Sequence, residues 1–174
     1  MRTTHPLEKF HFCPVCGSTG FTVNNFKSKR CQHCGFIYYA NPCSATAAFI
    51  RNSRGELLVA VRAKEPAKGT LDLPGGFVDM DETAEQGVLR EIVEETGLHV
   101  DSPRYLFSIP NRYLYSDMEI HTVDMFFEVF VGDDVQPVAD DDVERLKWIP
   151  LDKINPSDFG LISISQGVAK YLES

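Results

Sequence analysis

Long apolar runs of the kind that cross a membrane are missing from this sequence, and its first residues do not lead one to expect a leader. No stretch approaches the ~18 consecutive apolar residues of a spanning helix. The opening segment, MRTTHPLEKF, has no apolar core of the secretory kind. A cytoplasmic, reducing setting with no membrane partner is therefore expected. Internal repeats and low-complexity tracts are absent too, so no repeat array has to be accommodated. Tryptophan occurs once, at Trp148. What remains is a chain of 174 residues, 43% apolar. That is room for one medium domain, or for a small module plus one domain, with enough apolar surface to form a core.

Cysteine is scarce but patterned. Cys13-Pro14-Val15-Cys16-Gly17 and Cys31-Gln32-His33-Cys34-Gly35 are two CxxCG knuckles, fourteen residues apart. In a reducing compartment such pairs point to metal sooner than to disulfides, which are the alternative. Two such turns bring four thiolates to tetrahedral Zn²⁺, a closed structural site with no open position for catalysis. Phe10, Phe12, Phe21, Val23 and Phe26 alternate loosely beside the knuckles, as in short strands. His33 reads as a bystander and Cys43 as a buried thiol outside the pattern. Residues 1–40 are expected to form a small four-cysteine zinc ribbon, and residues 41–174 a second domain.

Charge divides unevenly between the two parts. Residues 1–40 carry Arg2, Lys9, Lys27, Lys29 and Arg30 against Glu8, a formal +4, so the remainder holds −12 of a chain total of −8. A basic ribbon either contacts nucleic acid through Lys27, Lys29 and Arg30 or docks on an acidic neighbour. Docking is the favoured reading, because the basic cluster is small.

The acidity concentrates in one stretch, GFVDMDETAEQGVLREIVEETGL, Gly76 to Leu98. At about 100° per residue, Glu91, Glu94 and Glu95 fall on one side of a helix. Leu89, Ile92, Val93 and Thr96 fall on the other as the expected core stripe. Thr83 with Gln86 has capping-box spacing, Gly97 suits the left-handed C-terminal position, and Leu98 can fold back near Val93. Glu91 and Glu95 at i,i+4 repel by roughly 0.2–0.5 kcal/mol, and Arg90 is the one base in the stretch. A mid-helix Gly87 costs about 1 kcal/mol relative to Ala, and clearance for a ligand over the glutamates would account for it. Hard oxygen donors with no His or Cys point to Mg²⁺ or Mn²⁺.

Gly76, Glu82, Arg90, Glu91, Glu94, Glu95 and Gly97, with aliphatic Ile92 and Leu98, match every fixed position of the Nudix hydrolase signature. Leu73-Pro74-Gly75 resembles that family's approach to the motif. The resemblance implies an α/β fold, the Nudix α/β/α sandwich with a mixed sheet. It also implies hydrolysis of a nucleoside diphosphate linked to another moiety, with a homodimer as a common assembly. Glu91, Glu94 and Glu95 would hold the metal, joined by backbone groups at Gly75 and Gly76, where no side chain intervenes. Arg90 would orient the glutamates, with Glu82 as its partner. One of the metal-holding glutamates or a loop carboxylate would take the water's proton, and the family often recruits a general base or extra ligand from a loop before a late strand. Asp142 and Glu144, in Asp140-Asp141-Asp142-Val143-Glu144, are the candidates here, a solvated acidic turn being the alternative.

The remaining segments alternate between strand and helix. SATAAFI, ELLVAVRA, Leu71-Asp72-Leu73, RYLFSI, EIHTVDMFFEVFV and Leu146-Lys147-Trp148-Ile149 read as strands. Asn52 to Gly55 reads as a hairpin turn, Pro110-Asn111 as a break and Ser163 to Leu172 as a helix. FIYYANP, Phe36 to Pro42, resembles the linker of Nudix proteins with an N-terminal zinc ribbon, the group that includes NADH pyrophosphatases. Tyr38 and Tyr39 there either pack between modules or line the substrate cleft. The ribbon and linker together lean toward ADP-ribose, NADH or FAD. NADH pyrophosphatases carry a Trp-rich segment after the motif; here Ser108 to Tyr113 follows without tryptophan, against NADH specificity. Arg112, Tyr113 and Tyr115 either stack on a base and bind phosphate or pack on the surface. The rival functions are a nucleotide-sensing or nucleic-acid-binding regulator that uses the ribbon, and an RNA cap hydrolase that uses both parts.

Overall fold

Alternation in SATAAFI sends successive side chains to opposite faces of a strand, and the computed structural model shows both faces covered. It describes residues 5–115, 118–141 and 143–174, without the side chain of Tyr113. Strand β4 (Cys43–Arg51) points Ala47 and Phe49 one way and Ala48 and Ile50 the other. Strand β5 (Glu56–Arg62) does the same with Leu57 and Val59 against Leu58, and β8 (Met118–Phe130) with Phe126 against Phe127 and Val129. Helix α1 (Ala84–Thr96) closes one face with Val88 and Ile92. Helix α2 (Ile162–Leu172) closes the other with Ile164, Val168 and Tyr171. Two apolar layers about one sheet are the sandwich that the signature implied.

The sheet runs β6 (Leu71–Asp72), β5, β4, β8, β7 (Arg104–Tyr115), and β9 (Val143–Pro150) pairs with β5. It is mixed, because β4 and β8 run parallel in register from Cys43↔Thr122 to Arg51↔Phe130, while β5 is antiparallel to β4, β6 and β9. Helix α2 lies along β8 with three matched contacts. Ser163 donates to Asp124 at 2.5 Å, Tyr171 donates to Glu128 at 2.5 Å, and Gly167 sits over the Phe126 ring. A Cβ at position 167 would come within 2.3 Å of that ring, so the absence of a side chain sets how closely helix and strand approach. Tyr171 stacks on Phe49 with centroids 3.9 Å apart.

Three features differ from the sequence reading. Pro110-Asn111 does not break its strand: β7 continues through both residues, because β7 is the last strand of the sheet and a missing N–H on an edge interrupts no ladder. The buried stripe of α1 is Val88, Ile92 and Thr96, while Leu89 and Val93 are only half buried. The helix is rotated so that Glu95 is also buried, at 8% exposure. Cys43, expected inside, is exposed at the start of β4.

The chain divides into two compact units, Met1–Pro42 with Arg112–His121, and Cys43–Asn111 with Thr122–Ser174. The first contains a three-stranded antiparallel sheet, β1 (Phe21–Asn25), β2 (Ser28–Cys31) and β3 (Ile37–Tyr39). Phe10 and Phe36 pack against Cys13, Phe21 and Cys31 to form its core. Of the expected apolar alternation only Phe21 and Val23 lie in a strand; Phe26 is 81% exposed in the turn that follows.

Candidate metal and diphosphate sites

Each CxxCG knuckle folds by the same local rule. The N–H of Gly17 donates to the carbonyl of Cys13 at 2.9 Å, and that of Gly35 to Cys31 at 3.0 Å. Both glycines take left-handed backbone, φ +71° and +77°, which L side chains adopt at a cost. Two identical turns thus present four thiols inward, all Sγ atoms within 4.8 Å of one another. Cys13 and Cys34 are 3.7 Å apart, and Cys16 and Cys31 3.6 Å. A disulfide needs about 2.05 Å, whereas thiolates on a tetrahedral metal at about 2.3 Å stand roughly 3.8 Å apart. The donor set therefore fits a metal ion. Backbone N–H groups of Cys34 and His33 pull the Cys31 thiol down to about 6. Against the Ser18 backbone, burial and the neighbouring thiols push Cys16 up to about 12, so the four share their protons unevenly. Lys29, counted among the basic residues, is buried and donates to the Phe10 carbonyl at 2.8 Å. It belongs to the ribbon's interior rather than to a cationic surface.

The acidic site is built from a loop and a helix. Residues 74–78 lie against the start of β4: Ala48 N–H donates to Pro74, Thr46 N–H to Gly76, and Val78 N–H to Ser44, at 2.8–3.0 Å. This fixes Gly75 and Gly76 under the carboxylates of α1. A Cβ on Gly76 would lie 2.5 Å from Glu91 Oε1, so only glycine lets that carboxylate sit on the backbone. Gly75 N–H donates to Glu95 Oε2 at 2.9 Å. The helix ends are secured by the Thr83–Gln86 capping box and by Gly97 in left-handed conformation, its N–H donating to Val93. Gly87 also lies close to its own chain. A side chain there would crowd Glu82 at 3.2 Å and Val78 at 3.4 Å, so it admits the loop that leads into the helix.

Arg90 is the hub of the site. Its Nη1 donates to Glu91 Oε1 and Glu94 Oε2, both at 2.9 Å, and its Nη2 to Glu82 Oε1 at 2.7 Å and the Phe77 carbonyl at 2.9 Å. The Arg90 hydrogen bonds and the N–H of Asp79 hold the Glu82 carboxyl below its usual range. Burial raises Glu91, against the pull of Arg90. Burial raises Glu95 to about 8, and the charges of Glu91, Asp72 and Asp141 add to it although Gly75 N–H opposes. Two adjacent carboxyls resisting ionisation, both of hard oxygen and resting on open glycine backbone, fit a divalent cation that would offset their repulsion.

Glu94 is half exposed, and Glu144 is exposed at the start of β9. Asp142 and the Tyr113 side chain lie outside the described residues. Arg112 reaches Glu119 at 3.5 Å, and Tyr115 and Tyr39 are exposed. These three belong to the first compact unit, and Glu91, Glu94 and Glu95 to the second. Two acids escaped the sequence reading. Asp141 belongs to the acidic run already singled out, and its charge acts on both Glu91 and Glu95. The run is pinned by Asp140 N–H donating to the Glu95 carbonyl at 3.3 Å. Asp72 is buried in β6, paired with Arg62; the polar residue between Leu71 and Leu73 was its signal.

Comparison with known proteins agrees with this geometry. The model of the NUDIX domain matches residues 41–165. NAD-capped RNA hydrolase NudC of Vibrio parahaemolyticus is 34% identical over 108 residues, covering 61% of this chain and 40% of that protein. NudC of Stutzerimonas stutzeri is 26% identical over 166 residues, covering 95% and 55%. The chain thus spans about half the length of these relatives. Among solved structures, a NUDIX hydrolase from Nitrosomonas europaea superposes with TM-score 0.73 at 23% identity, covering 93% of this chain and 90% of that one. The NUDIX domain of Shewanella oneidensis NrtR, solved with ADP ribose, superposes with TM-score 0.63 at 22% identity, covering 78% and 89%. With the signature residues gathered on one loop and the helix that follows it, and the domain model matched over residues 41–165, the chain belongs to the Nudix family.

Proposed function

We propose that this chain is a Mg²⁺- or Mn²⁺-dependent pyrophosphohydrolase that cleaves the diphosphate of a nucleoside diphosphate linked to another moiety. NAD-type dinucleotides and ADP-ribose are the first substrates to try. The observation that carries this reading is the pair Glu91 and Glu95, whose carboxyls rest on Gly76 and Gly75 and are raised by burial. In the reaction, water adds to one phosphorus, the bridging P–O bond breaks, and two phosphomonoesters leave with release of a proton. A bound divalent cation neutralises diphosphate oxygens and acidifies water. Glu91, Glu94 and Glu95 offer the oxygen ligands. Arg90 holds Glu91 and Glu94 in place from one nitrogen, and Glu82 holds Arg90. The proton passes to a carboxylate of the 140–144 run, where Asp141 is the described member whose charge reaches both glutamates. Cys13, Cys16, Cys31 and Cys34 hold a structural Zn²⁺, supported by their mutual spacing.

The names of the NudC relatives favour one second reading, release of a nucleotide from NAD-capped RNA. One experiment tests both. The purified chain, with Mg²⁺ or with Mn²⁺, is incubated separately with ADP-ribose, NADH, FAD and NAD-capped RNA, and the products are identified. Paired phosphomonoesters from a dinucleotide support the main reading. Release of nicotinamide mononucleotide from capped RNA alone supports the second. Failure to hydrolyse any member of the panel with either metal rejects both.

A further inference from the structure

The sheet face under α2 carries a second concavity, unrelated to the acidic helix on the other face. A cavity of about 770 Å³ opens where the C-terminal end of α2 meets the ends of β4 and β8, within the usual size of a small-molecule site. Arg51 lines it, at the opposite end of β4 from Thr46, which anchors the Gly76 loop. Five residue steps along the strand separate the two, roughly 16 Å.

The walls combine both signs of charge with apolar surface. Glu128, at 4% exposure, forms the floor and is already satisfied: it accepts from Tyr171 and Arg104. Arg51 is poorly satisfied. Its Nη1 lies 3.5 Å from the Tyr171 hydroxyl and 3.8 Å from Glu128, and its Nε is buried with no hydrogen-bond partner among the described residues. The Arg51 side chain is 30% exposed, and Nη1, held only at these long distances, is the donor that an acceptor in this cavity meets. Lys170, exposed on α2, stands 4.4 Å over the Phe107 ring and supplies a second donor beside an aromatic wall. Asp152 and Glu173 also line the cavity. With Glu128 they balance Arg51, Arg104 and Lys170, so a polyphosphate gains little here and a ligand of low charge is preferred.

We propose that this cavity binds a small molecule with one oxyanion head, phosphate monoester or carboxylate, on an aromatic or aliphatic body. The head accepts from Arg51 and Lys170, and the body lies along Phe107 and Leu106. The site is separate from the proposed diphosphate chemistry and independent of it.

The test titrates the full chain with phenyl phosphate and, in a second arm, benzoate, following backbone and Arg Nε–H resonances by NMR. Saturable shifts at Arg51, Phe107 and Lys170 are expected in at least one arm, and which arm responds identifies the head group. Lys170→Glu, a surface change, should weaken binding by about tenfold or more, the scale of one charge-assisted hydrogen bond. Arg51→Gln should do the same with its fold checked by the spectrum, and hydrolysis of any diphosphate substrate should be unchanged in both. No saturable shift in either arm overturns the proposal. So does equal binding by folded Lys170→Glu and Arg51→Gln proteins, or a response centred on Glu91 to Glu95.

Discussion

The four thiols and the three glutamates are both ligand sets, yet they are assembled by opposite means. The thiols converge because two copies of one backbone turn aim them inward, and they already stand at the spacing of a tetrahedral ion. The glutamates do not converge. Glu91 and Glu94 share one nitrogen of Arg90, while Glu95 turns to the Gly75 amide. One set is closed around a point; the other is held open, one oxygen of each glutamate parked on a donor of the chain itself. Structural metals need the first arrangement, since the ion is part of the fold. A diphosphate with its own oxygens to contribute needs the second, with positions left for substrate and water.

The comparison breaks most easily at the thiols. Cys13→Ser, or removal of metal by a strong chelator, should unfold residues 13–39. Binding free energies of roughly 10–16 kcal/mol hold such peptides together. Amide exchange in β1, β2 and β3 should become fast while that of β4, β5 and β8 stays slow. Loss of protection in both sets together would show that the two units do not fold separately. At the carboxylates the effect should fall on rate rather than fold. Glu95→Gln or Glu94→Gln should cut turnover on the order of 10³-fold, with the thermal midpoint nearly unchanged. Near-normal turnover in both would remove these residues from the site.

Arg90→Gln sharpens the same contrast, because it frees Glu82, Glu91 and Glu94 at once. Turnover should drop by about 10–100-fold, as for other residues that orient ligands, and the Mg²⁺ concentration needed for half activity should rise. The smallest effect concerns a carboxylate outside both sets. Burial opposes ionisation of Glu128, but hydrogen bonds from Tyr171 and Arg104 and the charges of Arg104 and Arg51 hold it below its usual range. Its stabilisation is therefore complete above the unfolded carboxyl value and is lost as pH falls through the folded one. Glu128→Gln should destabilise the neutral protein by about 2 kcal/mol, and the gap from the parent should narrow in acid. A gap independent of pH would mean that packing, not charge, accounts for it.

The acidic motif was legible because its spacing repeats at the helical period, and its caps follow local rules. Thr83, Gln86 and Gly97 act within one turn of the chain and appear as the sequence reads. The rotation of α1 was less accessible. Counting apolar residues favours Leu89 and Val93, but Val88 meets Ala48, Ile50 and Phe127 across the interface, and only the partner surface selects it. The close neighbours of Gly87 were equally hidden, since Glu82 and Val78 reach it from the preceding loop. Pro110 looked like a stop because its strand's place at the sheet edge is not written locally.

By itself the sequence determined what depends on near neighbours along the chain: two knuckles, a capped acidic helix, the alternation of β4 and β5, and the family. Tertiary structure decided which carboxylates meet which donors. It buried Glu95 against Gly75, gathered Glu82, Glu91 and Glu94 on Arg90, and brought Asp141 into electrostatic reach of two of them. Hydrogen bonds and desolvation act over a few ångströms in space. They are therefore set by which segments pack together, and sequence separation carries little of that information.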